Sequence, residues 1–264
     1  MCLLFISHRS HADYPLLVAA NRDEFFGRAT QQAHRWDSGI VAGRDGVAGG
    51  TWLGVRQDTE SGIRFAAITN RRGGAARESA RSRGELTAGF LGGELTAIDY
   101  AAQVQARAGD YAGFNLLVGD SAALCYASSE ADSMRELEPG LYGLSNGVLE
   151  EPWPKLRAGK QRMADLLANE KNLTTDQLIA LMDDRSLARD EDLPATGLPL
   201  ELERRLSSAF IENSDDQDGL ADYGTLCSTA VMLHATGELR FQERNFDSLG
   251  RASRSHFFHF PSQL

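Results

Sequence analysis

The chain has 264 residues, 42% of them hydrophobic and 24% charged, enough to bury a large core and too apolar for a chain dominated by disorder. Its formal net charge of −10 makes a field that repels polyanions, which argues against nucleic acid as a partner. Three cysteines, Cys2, Cys125 and Cys227, are widely spaced and odd in number, which fits a reduced compartment and not a disulfide framework.

The N-terminal stretch Met1–Glu24 carries the first chemistry. Initiator methionine is removed when the next residue is small, so Cys2 is expected to become the first residue and to carry a free amine. Thiol and amine on one residue make a nucleophile with its own base, because an α-amine has a pKa of roughly 8. Leu3 to Ile6 and Leu16 to Ala20 are apolar runs on either side of the polar segment Ser7 to Asp13, the pattern of a hairpin. Centring its loop near Ser10 or His11 sets Cys2 opposite about Ala20 to Arg22, at cross-strand separations of roughly 5 Å. Asn21, Arg22, Asp23 and Glu24 then arrive beside the thiol, with Asp23 expected to hold the ammonium and Arg22 to favour the thiolate. No basic region precedes the short apolar run and no stretch approaches the roughly 20 apolar residues of a spanning helix, so the expectation is a cytoplasmic protein without a membrane span.

Ile40 to Ala42, Thr51 to Arg56 and Arg64 to Thr69 predict a meander of strands with glycine-bearing turns, including Ser61-Gly62. Within Gly49-Gly50-Thr51-Trp52-Leu53-Gly54 the paired glycines permit close backbone approach, and Trp52 either covers a ligand or fills the core beside a bulge. Asn70 ends a strand, where its amide suits half of an oxyanion site or a simple turn. Arg71 and Arg72 follow as candidates for binding a carboxylate or phosphate.

From about Ser79 to Ala108 apolar residues recur at helical spacing, broken at Gly92-Gly93. Strands return at Phe114 to Gly119, Leu124 to Ala127 and Leu141 to Leu144, with Cys125 inward. Asn146 follows at a strand end, before Pro152-Trp153-Pro154. Helices are predicted at Lys155 to Ala168, Thr175 to Asp183 and Leu200 to Ile211, the second opened by a Thr174/Gln177 capping box. The acidic loop Asn213 to Gly219 lacks the end ligands of a calcium loop. Three strands close the chain, Cys227 to Leu233, Leu239 to Asn245 and His256 to Phe260. His256 and His259 point to opposite faces and do not share a metal. Blocks in the order strands, helices, strands, helices, strands predict a single α+β domain, residues 1–264, with two antiparallel sheets between helical layers.

Cys2, Asn21-Arg22-Asp23-Glu24, Gly50-Thr51-Trp52-Leu53-Gly54, Thr69-Asn70, Phe114-Asn115-Leu116-Leu117, Leu144-Ser145-Asn146-Gly147 and Tyr223-Gly224-Thr225 together resemble the NRDE family, whose animal members are called transport and Golgi organization proteins. The resemblance runs from residue 2 to about residue 246. That family is similar in turn to N-terminal-nucleophile hydrolases of the choloylglycine and penicillin acylase group, which implies a four-layer αββα sandwich. The resemblance also implies attack of an amide by Cys2, an α-amine held by Asp23, and an oxyanion site lined by Asn70 and Asn146. The chain departs from those acylases in having Ala20 where they place an arginine, and Thr225-Leu226-Cys227-Ser228 where a late arginine is expected.

These readings give a C–N amide hydrolase for a small molecule, with Cys2, Arg22, Asp23, Asn70 and Asn146 catalytic and Asn21, Trp52, Arg71 and Arg72 contacting substrate. The chemistry requires no metal and no organic cofactor. Resemblance to the animal members implies the alternative, a non-catalytic carrier of a hydrophobic ligand such as haem or lipid, with His8, His11 and Cys2 near one rim as contacts to haem iron.

Overall fold

The computed structural model describes residues 2–58, 62–72, 81–170, 172–214 and 220–262, and Met1 lies outside them, as do Ser61, the start of the first predicted helical stretch at Ser79, and most of the acidic loop. In chain order the elements are β1 (Cys2–His8), β2 (Leu16–Phe25), β3 (Thr30–Arg35), β4 (Val41–Asp45), β5 (Leu53–Asp58), β6 (Gly62–Asn70), α1 (Gly84–Gly92), α2 (Ala97–Ala106), β7 (Phe114–Gly119), β8 (Leu124–Ser128), β9 (Arg135–Glu136), β10 (Gly140–Leu144), α3 (Pro154–Asn169), α4 (Thr175–Ala180), α5 (Leu200–Arg205), β11 (Tyr223–Leu233), β12 (Leu239–Phe246) and β13 (Ala252–Phe260). The chain divides into two compact units, one made of residues up to Arg28 with Pro139–Ser262, the other of Ala29–Glu138. Each is built on one antiparallel sheet with helices, so the class is α+β.

In the first unit the sheet runs β10-β1-β2-β11-β12-β13. The predicted hairpin is present, with Arg9 N–H donating to the Pro15 carbonyl at its mouth (2.8 Å). Strand alternation sends Leu3 and Phe5 of β1, Leu17 and Ala19 of β2 and Ala230 and Met232 of β11 to one face, where they pack with Leu156 and Met163 of α3 and Leu178 and Ile179 of α4. Each such buried side chain contributes roughly 1.5–3 kcal/mol. Helix α3 can lie flat on β1 because Gly159 has no side chain; a Cβ there would stand 2.0 Å from the Phe5 ring. The Thr174/Gln177 capping box opens α4 as predicted.

The second unit is a meander, β3-β4-β5-β6-β7-β8-β9, with Leu86, Phe90 and Leu91 of α1 and Ala97, Ala101 and Val104 of α2 packed on one face. The paired glycines do permit a close approach: Gly50 lies against Gly84, a Cβ on Gly50 would meet the Gly84 carbonyl at 2.3 Å, and Thr51 N–H donates to that carbonyl (3.2 Å). Arg64 is buried on β6 and donates to the carbonyls of Phe90 and Leu95, satisfying the end of α1.

Four boundaries differ from the sequence reading for identifiable reasons. Strand β3 was not predicted, because Thr-Gln-Gln-Ala-His-Arg turns only Ala33 fully inward at a sheet edge. Strand β11 starts at Tyr223, four residues early, since Tyr223 to Thr225 pair with Phe25 to Asp23. Strand β13 likewise starts at Ala252, paired with Phe246. Helix α5 ends at Arg205 where a longer helix was expected, because the Ser207 and Ser208 hydroxyls bond the carbonyls of Arg204 and Phe210 and compete with the helix. No helix among the described residues is long and apolar enough to cross a membrane.

Candidate active site

The same alternation that points Leu3 and Phe5 at the helices points Cys2 to the opposite face. In register, Cys2 pairs with Arg22, Arg22 with Cys227, and Cys227 with Asn245. These four residues form one row across β1, β2, β11 and β12, with neighbouring Cβ atoms about 5 Å apart. The next row on that face is Leu4, Ala20, Thr229 and Glu243. The observed register falls at the far end of the expected range of Ala20 to Arg22, because the loop centres on Ala12 and not on Ser10 or His11.

Cys2 is only 7% exposed, yet its neighbours are ionisable groups and not hydrocarbon alone. Burial pushes its thiol up to about 11; the charge of the amino terminus pulls the other way, Asp23 and Glu24 push further up, and Arg22 pulls down. Arg22 therefore favours the thiolate in sign, as expected, but burial outweighs it and the resting sulfur is a thiol. The Arg22 guanidinium, itself buried, stands 3.8 Å from the Glu24 carboxylate.

Asp23 is 1% exposed, and its Oδ1 accepts from the Thr225 hydroxyl (2.7 Å) while its carbonyl accepts from the Tyr223 hydroxyl (3.1 Å). A bulge between Thr225 and Cys227 shifts the β11 register here and brings Thr225 opposite Asp23. Burial raises the Asp23 carboxyl above its ordinary value, opposed by the amino terminus, Lys155, the Thr225 hydrogen bond and Arg22. Lys155 is buried at the start of α3 and donates to the Leu206 carbonyl (2.8 Å). Beyond β10, the Ser145 hydroxyl lies within donating reach of the Cys2 carbonyl (3.3 Å) and of Asn146 Oδ1 (3.4 Å), so Asn146, also buried, is linked through Ser145 to the Cys2 backbone.

Asn21 is a correction to the sequence reading. It faces the helical side, is fully buried, donates both amide hydrogens to the carbonyls of Met182 and Ala209 (2.9 Å each) and accepts from the Ser228 hydroxyl. Its amide ties β2 to two loops and offers no donor to a substrate. The haem rim is also corrected. Cys2 and His8 begin and end the seven-residue β1, about 20 Å apart. His11 meets Tyr14 at a tilt and Tyr14 meets His234 edge to face, in a cluster separate from the thiol row (ring centroids 5.2 and 5.3 Å). No iron bridges Cys2 to His8 in this arrangement. Among the described residues, no three His, Cys, Asp or Glu side chains converge to hold a metal ion.

Trp52, Asn70, Arg71 and Arg72 belong to the second unit. Trp52 is half-buried and its carbonyl accepts from Ile68 N–H (2.8 Å). Asn70 ends β6 opposite Phe114, and Arg71 N–H donates to the Gly113 carbonyl (3.0 Å).

Thr225, Cys227, Glu243 and Lys155 escaped the sequence reading as neighbours of the site. Thr225 lies in the quoted Tyr-Gly-Thr motif, but the pairing of β11 with β2 joins residues about two hundred positions apart, and no local pattern announces it.

The profile of the family described as Transport and Golgi organisation 2 matches residues 1–248. The chain is 35% identical over 267 residues to the Transport and Golgi organization protein 2 homolog of Bos taurus, which covers 93% of each chain. It is 32% identical over 261 residues to the homolog of Homo sapiens, again covering 93% of each. Against the Drosophila melanogaster Transport and Golgi organization protein 2 the identity is 24% over 271 residues, covering 94% of this chain and 93% of that one. Among solved structures the chain is similar to an Anbu (Gly-1) mutant from Hyphomicrobium sp. strain MC1, at a TM-score of 0.35 and 10% identity, covering 97% of this chain and 86% of that one. With the profile spanning nearly the whole chain and mammalian relatives above 30% identity along it, the chain belongs to the Transport and Golgi organisation 2 family.

Proposed function

We propose that the chain hydrolyses a C–N amide bond of a small molecule, using Cys2 as an N-terminal nucleophile. The observation that carries the reading is the setting of the Cys2 thiol: buried, in register with Arg22, under the charge of Asp23, and with Ser145 bonded to its own carbonyl.

Once Met1 is removed, the α-amine of Cys2 takes the thiol proton and the sulfur attacks the amide carbon. Burial holds the thiol above an ordinary α-amine, so the transfer is uphill and the ammonium it forms has to be stabilised. Asp23 balances the resulting ammonium, and its Thr225 bond fixes the carboxylate for that task. Asn146 donates to the oxyanion. Collapse breaks the C–N bond, the ammonium returns its proton to the leaving amine, and water then cleaves the thioester to a carboxylic acid. The reaction uses residues of the first unit alone.

The test needs no prior substrate. Native protein is analysed by intact mass, then mixed with a panel of N-acyl anilides, quenched in acid and mapped by peptide mass. The expected result is a chain without Met1 that carries an acyl group on Cys2 and releases aniline. Retention of Met1 in the native protein, or equal aniline release by Cys2→Ala, overturns the reading.

A further inference from the structure

Gly143 lies near the end of β10, an outer strand of the first sheet, opposite Phe5 of β1. Its N–H and its carbonyl are both taken by one residue seven positions on: Glu150 N–H donates to the Gly143 carbonyl (3.0 Å), and Gly143 N–H donates to Glu150 Oε1. The other carboxylate oxygen, Oε2, pairs with Lys160 of α3. A Cβ at position 143 would stand 2.7 Å from Leu156 and 3.3 Å from the Lys160 stem, so the missing side chain is what lets α3 bring the ammonium to this point. Glu150 makes its contacts from a left-handed backbone, φ 67°, which an L side chain adopts at a cost that glycine escapes. Such strain persists where the surroundings over-determine it, and here two hydrogen bonds and an ion pair do so.

The segment closed at this neck, residues 144–149, carries the groups that reach the backbone of the nucleophile. Ser145 is fully buried, with its hydroxyl 3.3 Å from the Cys2 carbonyl, and Asn146, 1% exposed, follows it. Leu144 and Leu149 are buried at its two ends, and Val148 N–H donates to Glu151 Oε2 (2.8 Å) between them. We propose that Glu150 is a positioning residue for the site: its carboxylate, steadied by Lys160, closes the loop of residues 143–150 and so fixes where Ser145 and Asn146 stand relative to Cys2. Lys160 is the support and Glu150 the clamp, because only the carboxylate touches the backbone of the loop. The consequence for catalysis rests on the hydrolase reading above, in which Asn146 donates to the oxyanion. A group displaced by about 1 Å from its productive place loses on the order of a hundredfold in rate. The clamp itself does not rest on that reading.

The experiment compares wild type, Glu150→Gly, Glu150→Gln and Lys160→Met in two ways. Amide hydrogen exchange is read as protection of the peptide covering residues 143–150, with the Asn115 peptide of the second unit as internal reference. Acylation of Cys2 by an N-acyl anilide that labels wild type is then followed against anilide concentration. Glycine accepts the left-handed turn without strain, so Glu150→Gly removes the carboxylate and leaves the backbone shape available. It is expected to lower protection of the 143–150 peptide by about tenfold or more, with the reference peptide unchanged. The maximal acylation rate is expected to fall by about tenfold or more while the half-saturating concentration moves by less than about threefold, as for an interaction made in the transition state. Glu150→Gln keeps an acceptor for Gly143 N–H and is expected to recover part of both effects, and Lys160→Met to show the smallest change. Unchanged protection in Glu150→Gly, an equal loss in the reference peptide, or a full acylation rate despite lost protection overturns the proposal. If Glu150→Gly fails to fold, Glu150→Gln is read in the same way at a smaller amplitude. Absence of acylation in wild type sinks the hydrolase reading alone, and the exchange comparison still upholds or overturns the clamp.

Discussion

In the second unit, buried polar side chains complete one another. Asn115 on β7 donates to the Thr69 hydroxyl on β6 (3.0 Å) and accepts from the Tyr126 and Ser128 hydroxyls on β8 (2.7 and 3.1 Å). In the first unit, ionisable groups are buried among the polar residues around Cys2, and burial works against their charge: the Cys2 thiol and the Asp23 carboxyl are both pushed up. A neutral network whose bonds close on themselves adds stability and a single geometry. A buried row of charges costs stability and leaves protons ready to move. The two sheets share an architecture; what separates them is which kind of polar group each one buries.

The largest effect expected from breaking that contrast is at the nucleophile. Cys2→Ala removes one sulfur from a site where buried cysteine otherwise behaves as a small apolar residue. Acylation and turnover should vanish while the melting temperature moves by no more than a few degrees. A large loss of stability with partial activity would make Cys2 a packing residue.

Asp23 comes next and reads out as stability against pH. Because burial raises its carboxyl above the ordinary 3.8, the folded chain holds that proton more tightly than the unfolded chain does. Its favourable contribution is therefore complete below about 3.8 and is lost as pH rises through the raised value. At neutral pH the raised carboxyl is a cost relative to the unfolded chain, so Asp23→Asn should melt higher than wild type at pH 7. The gap should close as pH falls toward 4, and acylation should be lost because an amide cannot balance the ammonium. A variant that melts lower at pH 7, with a gap that ignores pH, would show that Asp23 serves structure only.

The second unit supplies the opposite case. Asn115→Ala takes one partner from each of three buried hydroxyls, of which Ser128 keeps the Phe114 carbonyl, and removing one partner of a buried hydrogen bond costs about 1–3 kcal/mol. A net loss of about 3 kcal/mol is expected by urea unfolding, with no change in the rate of Cys2 alkylation. A stability loss at Asn115 well under 1 kcal/mol would mean that its network is not what holds β6, β7 and β8 together.

Much of this contrast was legible in the sequence, though unevenly. The hairpin sets Cys2 opposite about Ala20 to Arg22, and the observed partner is Arg22, because two apolar runs and one polar loop fix a register over short range to within a residue or two. The same period of two turns the side chains of Asn21 and Asp23 to the face opposite the thiol and leaves Arg22 on its face; Asn21 serves Met182 and Ala209, and Asp23 is held by Thr225. Thr225 and Cys227 come beside Asp23 and Arg22 through the pairing of β11 with β2, which no window of residues encodes, and Glu243 follows through the β11–β12 hairpin. The short α5 was misread for another reason: its leucine spacing suits a helix, and only the competing serine bonds end it early.

The smallest expected effect tests whether burial, and not hydrogen-bond number, sets the scale. At the start of α4, the Thr174 hydroxyl accepts from Gln177 N–H (3.2 Å) and Gln177 Oε1 accepts from Thr174 N–H (2.9 Å). Thr174→Ala therefore removes the hydroxyl's half of a reciprocal pair, the backbone N–H of residue 174 still donating to Gln177, whereas Asn115→Ala removes the centre of a network. The cap, however, is exposed, so water satisfies the groups it releases, and Leu178 and Ile179 still anchor the helix from its buried side. A cost of about 1 kcal/mol by urea unfolding is expected, roughly a third of that at Asn115. Equal costs at the two sites would mean that the second sheet gains nothing from enclosing its polar groups, and the distinction between a closed network and a charged row would lose its energetic basis.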